Sequence, residues 1–200
     1  MCSRSPVREH RVVVCAGIVL TGGTSRRLGF DKATVRIGAE TLAARAARVM
    51  GTVCAPVVEV GPGHCGIRAV REEPPGSGPL AALVAGADAV DTDAALLLAC
   101  DLVRVEPPLL ALLAGWEGAA TVVPMVGGMP QLVCARYGAD AIAAARGLLS
   151  QGERSLRALL DVVDADLVTV EQSPDLIDSA AFVDLDTPED LERLGLRAPG

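Results

Sequence analysis

A buried strand that leads directly into a glycine-rich, positively charged loop is the feature that most constrains this chain. Residues 12–19 form an apolar run typical of a strand that is covered on both faces. Residues 20–32 follow it and read LTGGTSRRLGFDK. Adjacent glycines allow a sharp turn and let a ligand approach the backbone closely. Because successive N–H groups and basic side chains attract anions, the loop is predicted to bind phosphate groups.

The loop differs from the two most familiar phosphate-binding loops. A P-loop requires a lysine directly after its second glycine, but Gly29 is separated from Lys32 by Phe30 and Asp31. A dinucleotide-binding loop requires G-x-G-x-x-G, and here the two glycines are adjacent and followed by Thr24. Neither pattern describes this chain.

The loop resembles the signature loop of the MobA-like nucleotidyltransferase family, whose pattern is close to L-A-G-G-x-S-x-R-M-G-x-D-K. Thr21 replaces an alanine of that pattern, and Leu28 replaces a methionine. The resemblance implies that the loop binds a nucleotide through Leu20, Thr21, Gly22, Gly23, Ser25, Arg27 and Lys32. It also implies a catalytic role for Arg27 and Lys32, which would offset charge on the leaving group. The alternative is an ordinary strand–loop–helix junction with basic surface residues.

Strand and helix patterns alternate along the rest of the chain. Helices are expected over residues 41–50, 80–89, 107 or 108 to 113, 139–149 and 155–160, and again from 187. Strands are expected over residues 56–60, 69–70, 94–99, 121–125, 131–136, 167–170 and 182–185, with a short extended piece at 33–37.

This alternation predicts an α/β fold, a Rossmann-like three-layer α/β/α sandwich with a mostly parallel central sheet. A hairpin between residues 121–125 and 131–136 would make the sheet mixed. The family resemblance implies a relation to the nucleotide-diphospho-sugar transferase fold. Ligands of such sheets bind beyond the carboxyl ends of the strands, so the loop glycines and the acidic residues near later strand ends are expected at one edge.

Composition limits the number of domains and the kinds of partner. We expect a flexible tail over residues 1–11 and a single nucleotidyltransferase domain over 12–200. Hydrophobic residues make up 50% of the chain but aromatic ones only 2%, so the core must consist of alanine, valine and leucine. The net charge of −7 argues against a nucleic-acid partner. Without an apolar run that spans a bilayer or a signal segment, the expected location is cytoplasmic and away from membranes.

Asp101 is the strongest candidate for a metal-binding carboxylate. It directly follows the apolar run LLLAC, where a predicted central strand ends. One or two carboxylate oxygens together with substrate phosphates suffice to hold Mg²⁺. The alternative is a residue that caps the turn before Leu102. The family usually continues this motif with Asp-Leu-Pro or Asp-Thr-Pro, whereas Val103 stands here in place of the proline. The resemblance makes Asp101 a catalytic, nucleotide-binding and metal-binding residue.

A third motif, FVDLDTPEDL, occupies residues 182–191. Thr187 and Asp190 have the spacing of a capping box, and Pro188 suits the first helical position. The motif resembles the family pattern F-x-N-x-N-T-P-E-D-L, with aspartates in place of both asparagines. By that resemblance Asp184 is a candidate second metal ligand, and Asp186 is a candidate contact to the acceptor substrate.

Weaker matches occur between these motifs. Gly78, Pro79 and Leu80 resemble a segment that closes over the nucleotide, and Glu73 stands where an aspartate near the base or ribose is usual. Gln131 and Arg154 lie in segments that resemble the acceptor side of the site. Simple alternatives are a turn before a helix for residues 78–80 and a solvated helix start near Arg154.

The resemblance extends from residue 12 to about 194 and implies a specific reaction. In it GMP passes from GTP to the terminal phosphate of the molybdopterin cofactor, and pyrophosphate is released with the help of Mg²⁺. The implied partners are GTP, the phosphorylated pterin and proteins of molybdoenzyme maturation. Open alternatives are a relative that uses CTP or another phosphorylated acceptor, such as a phospholactate, and a catalytically idle nucleotide-binding module.

Overall fold

A mixed β-sheet between two layers of helices forms the centre of the protein. The computed structural model describes residues 15–22, 28–169, 172 and 179–199. The tail predicted at 1–11 lies outside these residues. The strands are β1 Ala16–Leu20, β2 Arg36–Ile37, β3 Glu40–Thr41, β4 Val57–Val60, β5 Ala69–Val70, β6 Ala95–Ala99, β7 Thr121–Val126, β8 Met129–Pro130, β9 Cys134–Tyr137 and β10 Ala165–Thr169. The α-helices are α1 Leu42–Gly51, α2 Pro79–Val90, α3 Pro107–Ala114, α4 Ala139–Ser150, α5 Leu156–Leu160 and α6 Pro188–Leu194.

The strand order of the main sheet, within the described residues, is β10-β7-β9-β6-β1-β4-β5, with β8 beside β7. Strands β5, β4, β1 and β6 are parallel neighbours, and β10 is parallel to β7. Strand β9 is antiparallel to both β6 and β7, with Val122 opposite Arg136. The prediction of a mostly parallel but mixed sheet is therefore confirmed. None of the helices in the described part of the chain is long and apolar enough to cross a membrane.

Two separate hydrophobic clusters cover the two faces of the sheet. Because successive strand residues point to opposite faces, Leu96 and Leu98 of β6 pack in the cluster of α1 and α3. Their neighbours Ala95 and Leu97 pack in the cluster of α2, α4 and α5. Small residues allow close packing: a Cβ atom on Gly86 of α2 would lie 2.8 Å from the Ile18 side chain. The predicted three-layer sandwich is confirmed.

Strand register brings the carboxyl ends of β1, β4 and β6 to the same height. Leu20, the last residue of β1, is paired with Val60 on one side and Ala99 on the other. The residues that follow these three strand ends must therefore emerge side by side. Thr21 and Gly22 follow β1, and Asp101 lies two residues beyond β6. The edge predicted from the sequence is thus formed by parallel pairing.

The segment before α6 differs from the predicted structure. A strand was expected at 182–185, but residues Ser179–Phe182 form a 3₁₀ helix and residues 183–186 are irregular. Leu185 is fully buried in a third cluster with Leu28 and Val103, so packing rather than strand pairing holds this segment. The predicted capping box is confirmed, because Thr187 and Asp190 each accept a hydrogen bond from the other's backbone N–H.

Residues 33–37 were expected to be extended, and only part of this segment is. A 3₁₀ helix, Lys32–Thr34, begins after Asp31, whose carboxylate accepts a hydrogen bond from Ala33 N at 2.9 Å. Strand β2 then forms a hairpin with β3. The 3₁₀ turn matters for the site because it fixes the direction of Lys32.

The amino end of β7 and the carboxyl end of β9 are held by partly or fully buried polar contacts. The guanidinium of Arg136 donates to the carbonyl oxygens of Ala114, Trp116, Ala119 and Ala120. Asp166 of β10 accepts hydrogen bonds from Trp116 Nε1 and Ala119 N, both at 2.7 Å. These contacts lie at the opposite end of the strands from Gly22 and Asp101, so they serve the fold rather than that edge.

Candidate active site

A cavity of about 960 Å³ opens at the carboxyl ends of β1, β4 and β6. Its wall includes Gly22 after β1, Gly61 after β4 and Asp101 after β6. Lys32 reaches the same wall from the 3₁₀ helix. The structure therefore brings together Gly22, Lys32 and Asp101, which the sequence analysis selected from positions up to 79 residues apart. Their roles in binding or catalysis remain predictions.

Lys32 is part of the wall of this cavity and lies between two carboxylates. Its Nζ atom is 3.3 Å from Asp101 Oδ2 and 2.5 Å from Asp186 Oδ1. The Lys32 side chain is 18% exposed, the Asp101 side chain 24% and the Asp186 side chain 46%. One positive charge is thus held close to two acidic groups in a partly desolvated place, where charge interactions are stronger than in water.

This arrangement shifts the pKa values of Lys32 and Asp101. Burial has the largest influence on Asp101 and raises its pKa, although the charge of Lys32 acts in the opposite direction. Burial is also the largest influence on Lys32, but hydrogen bonds and charge from Asp186 and Asp101 outweigh it, so the pKa of Lys32 is raised. Lys32 therefore stays protonated at neutral pH, while burial makes the ionised form of Asp101 costly even with the ammonium group of Lys32 beside it.

Asp184 completes the acidic side of the cavity. It lies in the irregular segment before α6, lines the cavity and contributes, after burial, to raising the pKa of Asp101. Leu185 anchors this segment in the core, and the N–H of Asp186 donates to Asp190 Oδ2 at 2.9 Å. Among the described residues no group of three or more His, Cys, Asp or Glu side chains forms a ready metal-binding cluster.

Part of the predicted loop lies outside the described residues. This applies to Gly23, Ser25 and Arg27. The loop is described at its beginning, Thr21 and Gly22, and again from Leu28 to Lys32. Leu20 and Thr21 line the cavity together with Gly22.

The segment before α2 places only some of its predicted residues at the cavity. Gly78 and Pro79 line it, whereas Leu80 is fully buried in the core. Glu73 is exposed and is not among the lining residues, but its neighbour Glu72 is. Glu72 Oε1 accepts a hydrogen bond from Gly76 N at 2.9 Å, which stabilises the turn of this segment. Because Glu72 and Glu73 are adjacent, spacing in the sequence alone could not show which of them faces the cavity.

Two of the three predicted acceptor-side residues, Gln131 and Arg154, differ in position, and the third, Asp186, contacts Lys32 without lining the cavity. Gln131 lines the cavity, and its amide nitrogen donates to Met129 O at 3.1 Å. Arg154 is exposed outside the cavity wall, and its guanidinium donates to the carbonyl oxygens of Glu153 and Leu149. The structure therefore brings Gln131, but not Arg154, to the cavity.

Besides Glu72, two acidic residues near the site were not predicted from the sequence. Asp31 lines the cavity beside Lys32, and Glu59 is fully buried behind the loop. The sequence did contain an indication for Glu59: it is a charged residue inside the apolar strand sequence VVEV, and a charge must be compensated when such a strand is buried.

A family model for the MobA-like NTP transferase domain matches residues 17–169, which includes the cavity wall from Leu20 to Gln131. This match covers well over half of the chain.

The chain belongs to the MobA-like NTP transferase family.

Curated relatives agree with this family assignment, and a solved structure shares the fold. A probable molybdenum cofactor guanylyltransferase of Chloroflexus aggregans is 31% identical over 90% of this chain and 93% of its own length. One of the same description from Mycobacterium avium is 35% identical over 79% of this chain and 86% of its own. The crystal structure of molybdopterin-guanine dinucleotide biosynthesis protein A from Archaeoglobus fulgidus superposes with a TM-score of 0.74 at 21% identity, covering 89% and 95% of the two chains.

In this MobA-like NTP transferase, Gly22 tests the predicted phosphate site. Gly22 is not among the described glycines with positive φ, and a Cβ atom there would meet its nearest neighbours at 3.9 Å. The fold should therefore accept Gly22→Val, while the added methyl groups obstruct a ligand that approaches the backbone. We expect nucleoside triphosphate affinity to fall at least about tenfold, a loss of about 1.4 kcal/mol, when binding is measured by titration calorimetry.

The control is Gly147→Val on the exposed face of α4, where a Cβ atom would meet nothing within 4 Å. This variant tests the general effect of valine at an open glycine and should bind as the parent does. Equal affinity of Gly22→Val and the parent would place the phosphate site elsewhere.

Proposed function

We propose that the protein transfers GMP from GTP to the terminal phosphate of molybdopterin and releases pyrophosphate. The convergence of Gly22, Lys32 and Asp101 on one cavity carries this proposal, because it combines phosphate binding, a fixed positive charge and a carboxylate at one edge. Relatives described as probable molybdenum cofactor guanylyltransferases support the choice of substrates. A cytoplasmic location, expected from the sequence, is part of the same proposal.

The reaction needs no nucleophile from the protein. An oxygen of the acceptor phosphate forms a bond to the α-phosphorus of GTP, and the bond from that phosphorus to the bridging oxygen of pyrophosphate breaks. Catalysis then depends on orientation of the two phosphates and on stabilisation of negative charge. Gly22 leaves space for phosphate beside the backbone, and the ammonium group of Lys32 balances charge that accumulates on the leaving pyrophosphate.

Asp101 and Asp184 would hold Mg²⁺ in this proposal. Both line the cavity, and burial makes the ionised form of Asp101 costly, so a divalent cation would relieve that cost. Two carboxylates also suit Mg²⁺, which commonly takes its remaining ligands from water and substrate phosphates. When bound, the ion would neutralise charge on the phosphates and raise the electrophilicity of the α-phosphorus.

Other residues of the cavity wall are candidates for binding the nucleoside and the acceptor. Glu72 at the cavity wall and Glu73 beside it are the candidates for contacts to the base or ribose. Gln131, from the β8–β9 side, is the candidate for contact with the acceptor. Asp186 does not line the cavity but contacts Lys32 Nζ, so in this proposal it acts on the acceptor through Lys32.

A panel of nucleotides tests the proposal. A ligand at one hundred times its Kd stabilises the native state by about 2.7 kcal/mol, which for a chain of this size corresponds to a Tm increase of roughly 5–10 °C. We expect GTP with Mg²⁺ to give this increase in differential scanning fluorimetry, and GTP alone, CTP and ATP to give less.

The panel must be followed by turnover. With molybdopterin and GTP, we expect pyrophosphate release that requires Mg²⁺. A larger Tm increase with CTP would identify a cytidylyltransferase of the same family. A Tm increase with GTP but no pyrophosphate release would indicate an idle binding module.

A further inference from the structure

The side chain of Glu59 accepts four hydrogen bonds, an unusual number for a residue in the middle of a strand. It lies on β4 with no exposed surface, and its Oε1 atom accepts hydrogen bonds from Gly63 N and His64 N, both at 2.8 Å. Its Oε2 atom accepts a hydrogen bond from Cys65 N at 2.7 Å. The hydroxyl of Thr21 also donates to Oε1. A fully buried carboxylate thus fixes the turn at 61–65 and the residue that begins the phosphate loop.

The hydrogen bonds keep Glu59 ionised. Burial is the largest influence and acts to raise its pKa, but the hydroxyl of Thr21 and the three backbone N–H groups together lower it below the ordinary value. A carboxylate that accepts several N–H bonds is stabilised as the anion. Thr21 replaces the alanine of the family pattern, and the Glu59 contact explains what its hydroxyl does in this chain.

The turn that Glu59 holds also reaches the other end of the loop. His64 Nε2 lies 2.9 Å from Asp31 Oδ2. Asp31 in turn accepts the hydrogen bond from Ala33 N that begins the 3₁₀ helix of Lys32. One turn, residues 61–65, is therefore connected to both described ends of the phosphate loop, Thr21 through Glu59 and Asp31 through His64.

The turn also packs against the loop without a gap. A Cβ atom on Gly61 would lie 2.0 Å from Thr21 Oγ1 and 2.9 Å from Gly22 N. Gly61 and Gly22 both line the cavity, so a displacement of the turn would change the cavity wall itself. The 61–65 turn is therefore in direct steric contact with the start of the loop as well as hydrogen-bonded to it.

We propose that Glu59 and His64 are positioning residues, which clamp the two ends of the phosphate loop so that Lys32 is directed at the triphosphate. The proposal rests on the proposed function for its substrate. Neither residue is among those that line the cavity. Glu59 acts through Thr21 and the 61–65 turn, and His64 acts through Asp31 on the 3₁₀ helix that carries Lys32. Such preorganisation matters because a small displacement of a catalytic group lowers the rate strongly.

The decisive variant is His64→Ala, because His64 is partly exposed and its loss does not create a buried unpaired charge. We expect kcat for GTP-dependent pyrophosphate release to fall about tenfold, with a smaller change in KM, since Lys32 acts mainly in the transition state. His64→Gln should recover part of the rate, because a glutamine amide can donate to Asp31. In a Lys32→Ala background, His64→Ala should lower kcat no further.

Hydrogen–deuterium exchange gives a readout that does not depend on the substrate. In the free protein, we expect His64→Ala to increase amide exchange over residues 28–34. Glu59→Gln should increase exchange both over residues 28–34 and over residues 61–65. The control is Asp166→Asn. Like Glu59, Asp166 is a carboxylate that accepts several hydrogen bonds, but it lies at the end of the sheet opposite to the cavity. This substitution should lower Tm without changing kcat or exchange over residues 28–34.

The results separate the two proposals. If the parent releases no pyrophosphate with GTP, the proposed function fails, and exchange over residues 28–34 still decides whether the clamp exists. If exchange in His64→Ala equals that of the parent, there is no clamp. If kcat falls in His64→Ala by the same factor with and without Lys32, His64 does not act through Lys32 and the proposal is wrong.

Discussion

Asp101→Asn is expected to lower the rate of GTP-dependent pyrophosphate release by roughly a thousandfold, near the upper end of what loss of one electrostatic contact in an active site costs. An asparagine has the shape of an aspartate and can still accept the hydrogen bond from Lys32 Nζ. It lacks the negative charge needed to hold a divalent cation beside the phosphates. The variant therefore separates charge from packing, and steady-state kinetics with molybdopterin and GTP provide the measurement.

The same substitution should not weaken the fold at neutral pH. Because burial raises the pKa of Asp101 above its ordinary value of 3.8, the folded state binds the proton more tightly than the unfolded chain does. The ionised group therefore lowers stability as the pH rises through the interval between the two pKa values. An asparagine removes this cost, so Tm at pH 7 should equal or exceed that of the parent.

Asp88→Asn is the matched control for Asp101→Asn. Asp88 forms an exposed ion pair with Arg146 between α2 and α4, away from the cavity. The Asp88→Asn substitution removes the same charge from the chain. It should leave both turnover and Tm close to the parent values, as is usual for exposed ion pairs. Near-normal Mg²⁺-dependent turnover in Asp101→Asn would show that Asp101 only caps the turn after β6.

The convergence of Gly22 and Asp101 could be predicted because it follows from topology. Parallel strands that are buried on both faces have a strong apolar signature, and their carboxyl ends must lie along one edge. The pairing of Leu20 with Ala99 then brings the residues that follow into proximity. The antiparallel hairpin after β7 was predictable for a related reason, because a short glycine-containing connection favours a hairpin, but this connection leads to β8. The strand predicted at 131–136 is observed only as β9, Cys134–Tyr137, which pairs mainly with β6.

Segments held by tertiary contacts could not be read in the same way. The sequence FVDL at 182–185 has the residue types of a strand, but Leu185 is buried in a cluster with α6 and with the end of the phosphate loop. Hydrogen bonds from the N–H groups of Asp186 and Thr187 go to Asp190 instead of a neighbouring strand. Local propensity was overridden by packing, which is common for β-type residues.

The clamp around Glu59 was also beyond sequence reasoning. A glutamate in an apolar strand indicates a compensated charge but does not identify the donors. Those donors come from Thr21 and from a turn four to six positions further along the chain, and their arrangement depends on the conformation of that turn. For the same reason, the position of Glu72 at the cavity and of Glu73 outside it was decided by loop geometry.

Lys32→Ala is the second substitution with a large expected effect. The two carboxylates beside Nζ keep Lys32 protonated, because they raise its pKa in spite of burial. We expect kcat to fall about a hundredfold, or ~3 kcal/mol, with a smaller rise in the KM for GTP. The reason is that charge on pyrophosphate increases as the bond to the α-phosphorus breaks, so the ammonium group binds the transition state more strongly than GTP.

Loss of the ammonium group also leaves Asp101 and Asp186 without their shared positive partner, so Tm should decrease in Lys32→Ala. Kinetics must therefore be measured well below the Tm of the variant. Arg48→Ala is the control, because Arg48 of α1 forms an exposed ion pair with Glu40 of β3 and does not line the cavity. It should change kcat by less than twofold, since an exposed ion pair contributes little even to stability.

Lys32→Arg decides whether positive charge alone is sufficient. The compact ammonium lies 2.5 Å from Asp186 Oδ1 and 3.3 Å from Asp101 Oδ2, in a space bounded by the 3₁₀ helix and the segment before α6. A planar guanidinium is larger and favours a paired, two-pronged contact with one carboxylate, so it would turn toward an aspartate rather than the phosphate. We therefore expect Tm to recover while kcat stays within about tenfold of the alanine variant, a difference of about 1.4 kcal/mol. Full recovery of kcat would mean that any cation suffices there. Parental kcat in both Lys32 variants would remove Lys32 from the mechanism and favour an idle nucleotide-binding module.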